Sequence, residues 1–190
     1  SHVLSVIGNY DQAVLVKKWK TGRPRSRDKQ IAMRFAYHHL SKENRAYLAG
    51  LPREYRLRVK GTTILVTHGS PDSLTEYLVQ ETPESRFREI AQKTKADIIV
   101  TGHSHLPSIR EIDNVVFVNC GSVGRTEDGD PRACYALLTL DPLSIVHVRV
   151  PYDIDRAIDA IRNRHLPDSF ARIVSEGKPL DVVSEPEDSV

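Results

Sequence analysis

The sequence predicts an α/β protein built as a layered sandwich, and three observations carry that prediction. Short apolar runs, Val3-Leu4-Ser5-Val6-Ile7, Ile64-Leu65-Val66 and Ile98-Ile99-Val100, read as strands buried on both faces. Segments with helical periodicity separate them. Beyond Ser108, alternating strands joined by Asp113-Asn114 and Asp141-Pro142 read as hairpins. Helices between early buried strands, then hairpins, imply layers packed on a sheet.

Taken in order, Val3–Ile7 is expected as a strand that ends in a turn at Gly8-Asn9-Tyr10-Asp11. Gln12 to Lys20 is weakly helical, and Thr21 to Arg27 breaks the pattern with Gly22 and Pro24 as a mobile basic loop. Ile31, Phe35 and Leu40 resume helical spacing. Ser41 starts a second helix with Leu48 and Leu51 inward, so the pair forms a helical hairpin. Tyr55, Leu57 and Val59 alternate with basic residues in a half-exposed strand. A helix spans Pro83 to Lys95, and further strands cover Ser108 to Ile112, Val115 to Val118, Ala133 to Leu140 and Ile145 to Val150. Tyr152 to His165 and Pro167 to Glu176 read as helices. The 190 residues fit one domain over 1–183, with a helical insertion at about 12–52, C-terminal helices at about 152–177 and a flexible acidic tail at 184–190.

A composition of 39% hydrophobic and 27% charged residues excludes disordered and fibrous classes. No apolar run approaches the roughly 20 residues that span a bilayer, so the expectation is a cytoplasmic chain without a membrane partner. Cys120 and Cys134 are too few for a disulfide framework. The net charge of +2 names no partner, but its distribution is uneven. Lys17, Lys18, Lys20, Arg23, Arg25, Arg27, Lys29 and Arg34 stand against Asp28 alone. That run reads either as a solvated face or as a means of steering phosphate-bearing molecules. It lacks a series of aromatics to stack bases, so a dedicated nucleic-acid domain is not expected.

Polar residues follow three strand ends: Asn9 after Ile7, His68 after Val66, and His103 and His105 after Val100. Ligands of α/β sheets bind beyond the carboxyl ends of strands, so these four side chains are placed to converge. Imidazole nitrogen and amide oxygen suit borderline divalent metals such as Mn, Fe, Ni or Zn.

Four segments in this order, Gly8-Asn9-Tyr10-Asp11, His68-Gly69, Gly102-His103-Ser104-His105 and Asn119-Cys120-Gly121-Ser122-Val123-Gly124, resemble the G-N-H-D, H-G, G-H-x-H and N-P-G-S-V-G motifs of calcineurin-like metallophosphoesterases. The chain is most similar to their small bacterial and archaeal phosphodiesterase branch, from Val3 to about Val150, with a helical C-terminus of the same kind. The resemblance implies a β-sandwich flanked by helices and a phosphate-ester substrate. It also implies a pair of divalent ions, whose bridging hydroxide attacks phosphorus in line. Asn9, His68 and His103 would bind one metal and His105 the other, while Asp11 would orient a neighbour. Asn119 to Gly124 would shape the loop beneath. Arg125 and Arg132 are each placed to contact phosphate or to fix their own loop by an ion pair.

Two departures qualify the resemblance. Tyr10 stands where the family has a histidine, and a phenol donates a hydrogen bond but is a weak proton donor near neutrality. The family's D-x-H and G-D segments do not precede Gly8, so the expectation is an N-terminally incomplete copy of the domain. Its exposed sheet edge then makes a homo-oligomer plausible. Asp72, Asp97, Asp113 and Asp128 read as capping or turn residues, not replacements. The alternative function is a non-catalytic remnant that serves as a binding or oligomerisation module.

Overall fold

The computed structural model describes residues 3–17 and 27–184. Its centre is a five-stranded sheet in the order β1-β2-β3-β5-β4, formed by β1 (Glu54–Val59), β2 (Thr62–Thr67), β3 (Ile98–Thr101), β4 (Ser108–Ile112) and β5 (Val115–Asn119). The three middle strands run parallel, with Val66 opposite Val100 and Thr101 opposite Asn119. The edge strands β1 and β4 are antiparallel to their neighbours.

Side chains alternate faces along a strand, so neighbouring residues of the central strands enter different cores. Leu65, Ile99 and Phe117 point to one face. There they meet Phe87, Ile90 and Ala91 of the helix Glu84–Thr94. Ile64, Ile98, Val116 and Val118 point to the other face, onto Ala136, Leu138, Leu140 and Ile145 of a two-stranded sheet made by β6 (Ala133–Leu140) and β7 (Leu143–Val150). Burial on both sides explains why the central strands read as continuous apolar runs, while β6 alternates between inward and exposed positions.

The helices, in chain order, are α1 (Asn9–Leu15), α2 (Arg27–His39), α3 (Lys42–Ala49), α4 (Glu84–Thr94), α5 (Ile154–Arg162), α6 (Asp168–Glu176) and α7 (Leu180–Val183). Ser41 caps α3 by accepting the Asn44 N–H, as its position implies. Ile173, Leu180, Val183 and Phe170 form a separate small core between α6 and α7. The Ser169 hydroxyl donates to Asp28 at 2.5 Å, which ties this C-terminal unit to α2.

The N-terminal expectations need correction. Val3 to Ile7 forms no strand, because no neighbour offers it a ladder: the Ile7 N–H donates to Pro52 O, and Val3 is 82% exposed. Gly8 to Asp11 is not a turn but the start of α1. Gly8 is its N-cap, and the Asp11 carboxylate accepts the Gly8 N–H at 2.8 Å. α7 was not expected, being too short to show periodicity. Of the expected basic loop over Thr21 to Arg27, Arg27 instead opens α2 and the rest lies outside the described residues, as do the end of the weakly helical stretch and most of the expected tail. Cys120 and Cys134 are both free, and among the described residues no helix is long and apolar enough to cross a membrane.

Ile99 is fully buried between the sheet and α4, whereas Leu137 is 53% exposed on the outer face of β6. Ile99→Ala is expected to cost about 2–5 kcal/mol in urea unfolding and Leu137→Ala less than about 1 kcal/mol. Equal losses would contradict this layering.

Candidate metal centre

Parallel pairing ends β2, β3 and β5 at one edge of the sheet, and the loops that leave there carry the polar residues. The His68 and His103 loops are joined by the Gly102 N–H, which donates to His68 O at 2.8 Å. Asn119, at the end of β5, donates its side-chain amide to Gly102 O and to Ser104 Oγ, and accepts the Gly121 N–H. It shapes the loop, as expected. His147 of β7 reaches Asn119 O at 2.7 Å, so the second sheet also braces this edge.

Two glycines permit close approach. A Cβ on Gly69 would stand 2.5 Å from Ser73 O, inside the tight loop after His68. One on Gly8 would press on Asp11 and on the His68 ring at 3.1–3.4 Å, so the start of α1 lies directly against that imidazole. His103 and His105 carry φ values of 64° and 60°. Left-handed backbone costs a non-glycine residue about 1–2 kcal/mol, and the hydrogen bonds around Gly102 and Ser104 hold both residues there.

The structure brings three of the expected donors together. Asn9 Oδ1 lies 2.8 Å from His68 Nε2, and His103 Nδ1 lies 3.2 Å from the same nitrogen. His103 Nε2 is buried without a hydrogen-bond partner; the Thr75 backbone stands near the ring but outside hydrogen-bond geometry. Donors bound at about 2.1 Å to one ion stand about 3.0–3.4 Å apart, close to these separations. The amide oxygen of Asn9 and the facing imidazole nitrogens, His68 Nε2 and His103 Nδ1, therefore fit one borderline divalent cation. His105 stands apart, with Nδ1 3.2 Å from Glu127 Oε1. Among the described residues, no three His, Cys, Asp or Glu side chains form one ligand group.

Electrostatics favour the neutral, ligating form of the two histidines. Burial, reinforced by the neighbouring His103, lowers His68 to about 4. Burial also lowers His103, more than the Thr75 backbone raises it. Asp11 is a nearby negative charge that opposes the shift of His68, but its carboxylate is engaged with Gly8 at the head of α1.

Of the donor set, Asn9 and His103 open onto a cleft of about 640 Å³, whose lining also includes Tyr10, Lys29, Tyr77, His105, Arg125 and Glu127. Of the two arginines singled out in the sequence, Arg132 folds back on Asp130 at 2.6 Å and fixes its loop, while Arg125 faces the cleft and pairs with Glu127 at 2.8 Å. Asp72 and Asp128 are held by arginines, Asp97 accepts the Thr63 N–H, and Asp113 sits in the β4–β5 turn. Sequence reasoning missed Tyr77, whose ring packs on His103 at a centroid distance of 4.4 Å, and Glu127. Neither carries a local spacing signal.

The fold and site define a class: a layered α/β sandwich with a histidine and asparagine donor set at the ends of its parallel strands. Residues 1–142 match the calcineurin-like phosphoesterase superfamily domain, and the chain belongs to that superfamily. The protein MJ0912 of Methanocaldococcus jannaschii is similar at 29% identity over 187 residues, covering 87% of this chain and 72% of that protein. Two solved structures share the fold. The hypothetical protein PH1004 of Pyrococcus horikoshii gives a TM-score of 0.84 at 21% identity, over 94% of this chain and 75% of that one. A metallophosphoesterase from Sphaerobacter thermophilus gives 0.72 at 24% identity, over 92% and 77%.

His68→Ala and His103→Ala are each expected to lower bound Mn²⁺, measured by elemental analysis after desalting, without loss of the folded circular-dichroism spectrum; unchanged metal in both would contradict this site. The low value of His68 sets a second expectation for the metal-free chain. The unfolded chain takes up a proton near pH 6.5 and the folded one only near 4, so stability falls as pH drops through that window. Urea unfolding at pH 7, 5.5 and 4.5 checks it, and His68→Gln should flatten the decline.

Proposed function

We propose that the chain is a metal-dependent phosphoesterase that hydrolyses phosphodiesters at this cleft. The observation that carries the reading is the convergence of Asn9, His68 and His103 beside a cleft lined by Lys29 and Arg125, in a member of the calcineurin-like superfamily. Asn9, His68 and His103 would hold one divalent cation, Mn, Fe, Ni or Zn, and His105 would belong to a second. Such ions supply charge neutralisation at phosphoryl oxygens and a water activated for attack on phosphorus.

The chain's own residues then divide the work. Lys29 and Arg125 line the cleft and attract the phosphodiester anion, and the forked guanidinium of Arg125 is suited to two of its oxygens. Asp11 holds the amino end of α1 in place, which positions Asn9 in the first turn. Tyr10 lines the same cleft and can donate a hydrogen bond to the departing oxygen. Because a phenol is a weak acid, the reading favours esters whose leaving group needs little protonation.

A second reading, a family scaffold that binds without turnover, is favoured by one observation: no three His, Cys, Asp or Glu side chains gather among the described residues. Hydrolysis of an activated phosphodiester such as bis(4-nitrophenyl) phosphate separates the two. The proposal expects turnover that requires Mn²⁺ and falls at least about 100-fold in His103→Ala. Metal-independent turnover would overturn it, and no turnover from a folded chain would overturn it in favour of the scaffold.

A further inference from the structure

Two carboxylates line the cleft, Glu127 and Asp181, and Glu127 is the one that touches a histidine. Its Oε1 stands 3.2 Å from His105 Nδ1 and 2.8 Å from an Arg125 terminal nitrogen, Nη2. The contact is sheltered: the side chains of Glu127, His105 and Arg125 are 17%, 24% and 30% exposed. An ionised carboxylate only accepts hydrogen bonds, so the His105 nitrogen facing it carries the proton. In a neutral ring the other nitrogen, Nε2, then keeps its lone pair.

We infer that Glu127 is a positioning residue that holds His105 in its Nδ1–H tautomer and Arg125 beside it. One carboxylate oxygen thereby presents a metal-ligating nitrogen and an anion-binding guanidinium to the same cleft. A histidine that binds metal commonly donates its other N–H to a carboxylate, which fixes the ring and raises its basicity. Glu127 meets that requirement for His105 from a loop 22 residues away in sequence. The role in catalysis rests on the phosphoesterase reading; the tautomer does not.

The test uses the full chain, ¹⁵N-labelled and metal-free, at pH 8, with His105 assigned by comparison with His105→Ala. Long-range ¹H–¹⁵N correlation is expected to show Nδ1 protonated and Nε2 unprotonated in the wild type. Glu127→Gln, whose carbonyl still accepts, should keep that pattern. Glu127→Ala should shift it toward the Nε2–H form, and its Mn²⁺ affinity by calorimetry should fall about 10- to 100-fold. These results uphold the inference even in a chain that hydrolyses no ester. A wild-type His105 in the Nε2–H form overturns it without any variant. So does a folded Glu127→Ala with unchanged tautomer or unchanged Mn²⁺ affinity, even where the chain is an active hydrolase.

Discussion

The parallel register of β2, β3 and β5 is the constraint on which the site depends. Val66 opposite Val100 and Thr101 opposite Asn119 bring the three strands to a common end. The chain must leave that edge in three adjacent loops, with His68, His103 and Asn119 within a few residues of the strand ends. A one-residue slip of β3 would exchange the faces of Ile98 and Ile99 and lose both cores at once. Core packing on two faces therefore also sets the distance between the imidazoles.

The loops themselves are held less by burial than by hydrogen bonds. The Gly102 N–H ties one histidine loop to the other, Asn119 binds Gly102 and Ser104, and His147 joins the second sheet to the end of β5. This lattice offsets the left-handed backbone at His103 and His105. The site has two electrostatic zones. His68 and His103 are half-buried and kept neutral, whereas Glu127, Arg125 and Lys29 place charges of both signs on the cleft lining.

Much of this was legible in the sequence, and for physical reasons. Strands buried on two faces leave continuous apolar runs, the hairpin β6–β7 leaves alternation, and α4 leaves Phe87, Ile90, Ala91 and Thr94 at helical spacing. The N-terminus misled because Val3 to Ile7 is as β-branched as a true strand, and pairing depends on a neighbour that composition does not reveal. Gly8 to Asp11 has turn residues, but Asp11 sits at the third helical position and caps the helix instead. In the site, Asn9, His68 and His103 were legible because each follows an apolar run. The contacts of His105 with Glu127 and of His103 with Tyr77 were not, since each joins separate loops through the fold without a periodic pattern.

The account's central claim is that Asn9, His68 and His103 are ligands of one divalent ion. X-ray absorption fine structure of the zinc-loaded chain tests it most directly. The account predicts a nitrogen and oxygen shell at about 2.0–2.1 Å, with outer-shell scattering from imidazole that weakens in His68→Ala and in His103→Ala. A zinc ion without imidazole scattering, or a spectrum that neither substitution changes, would contradict it.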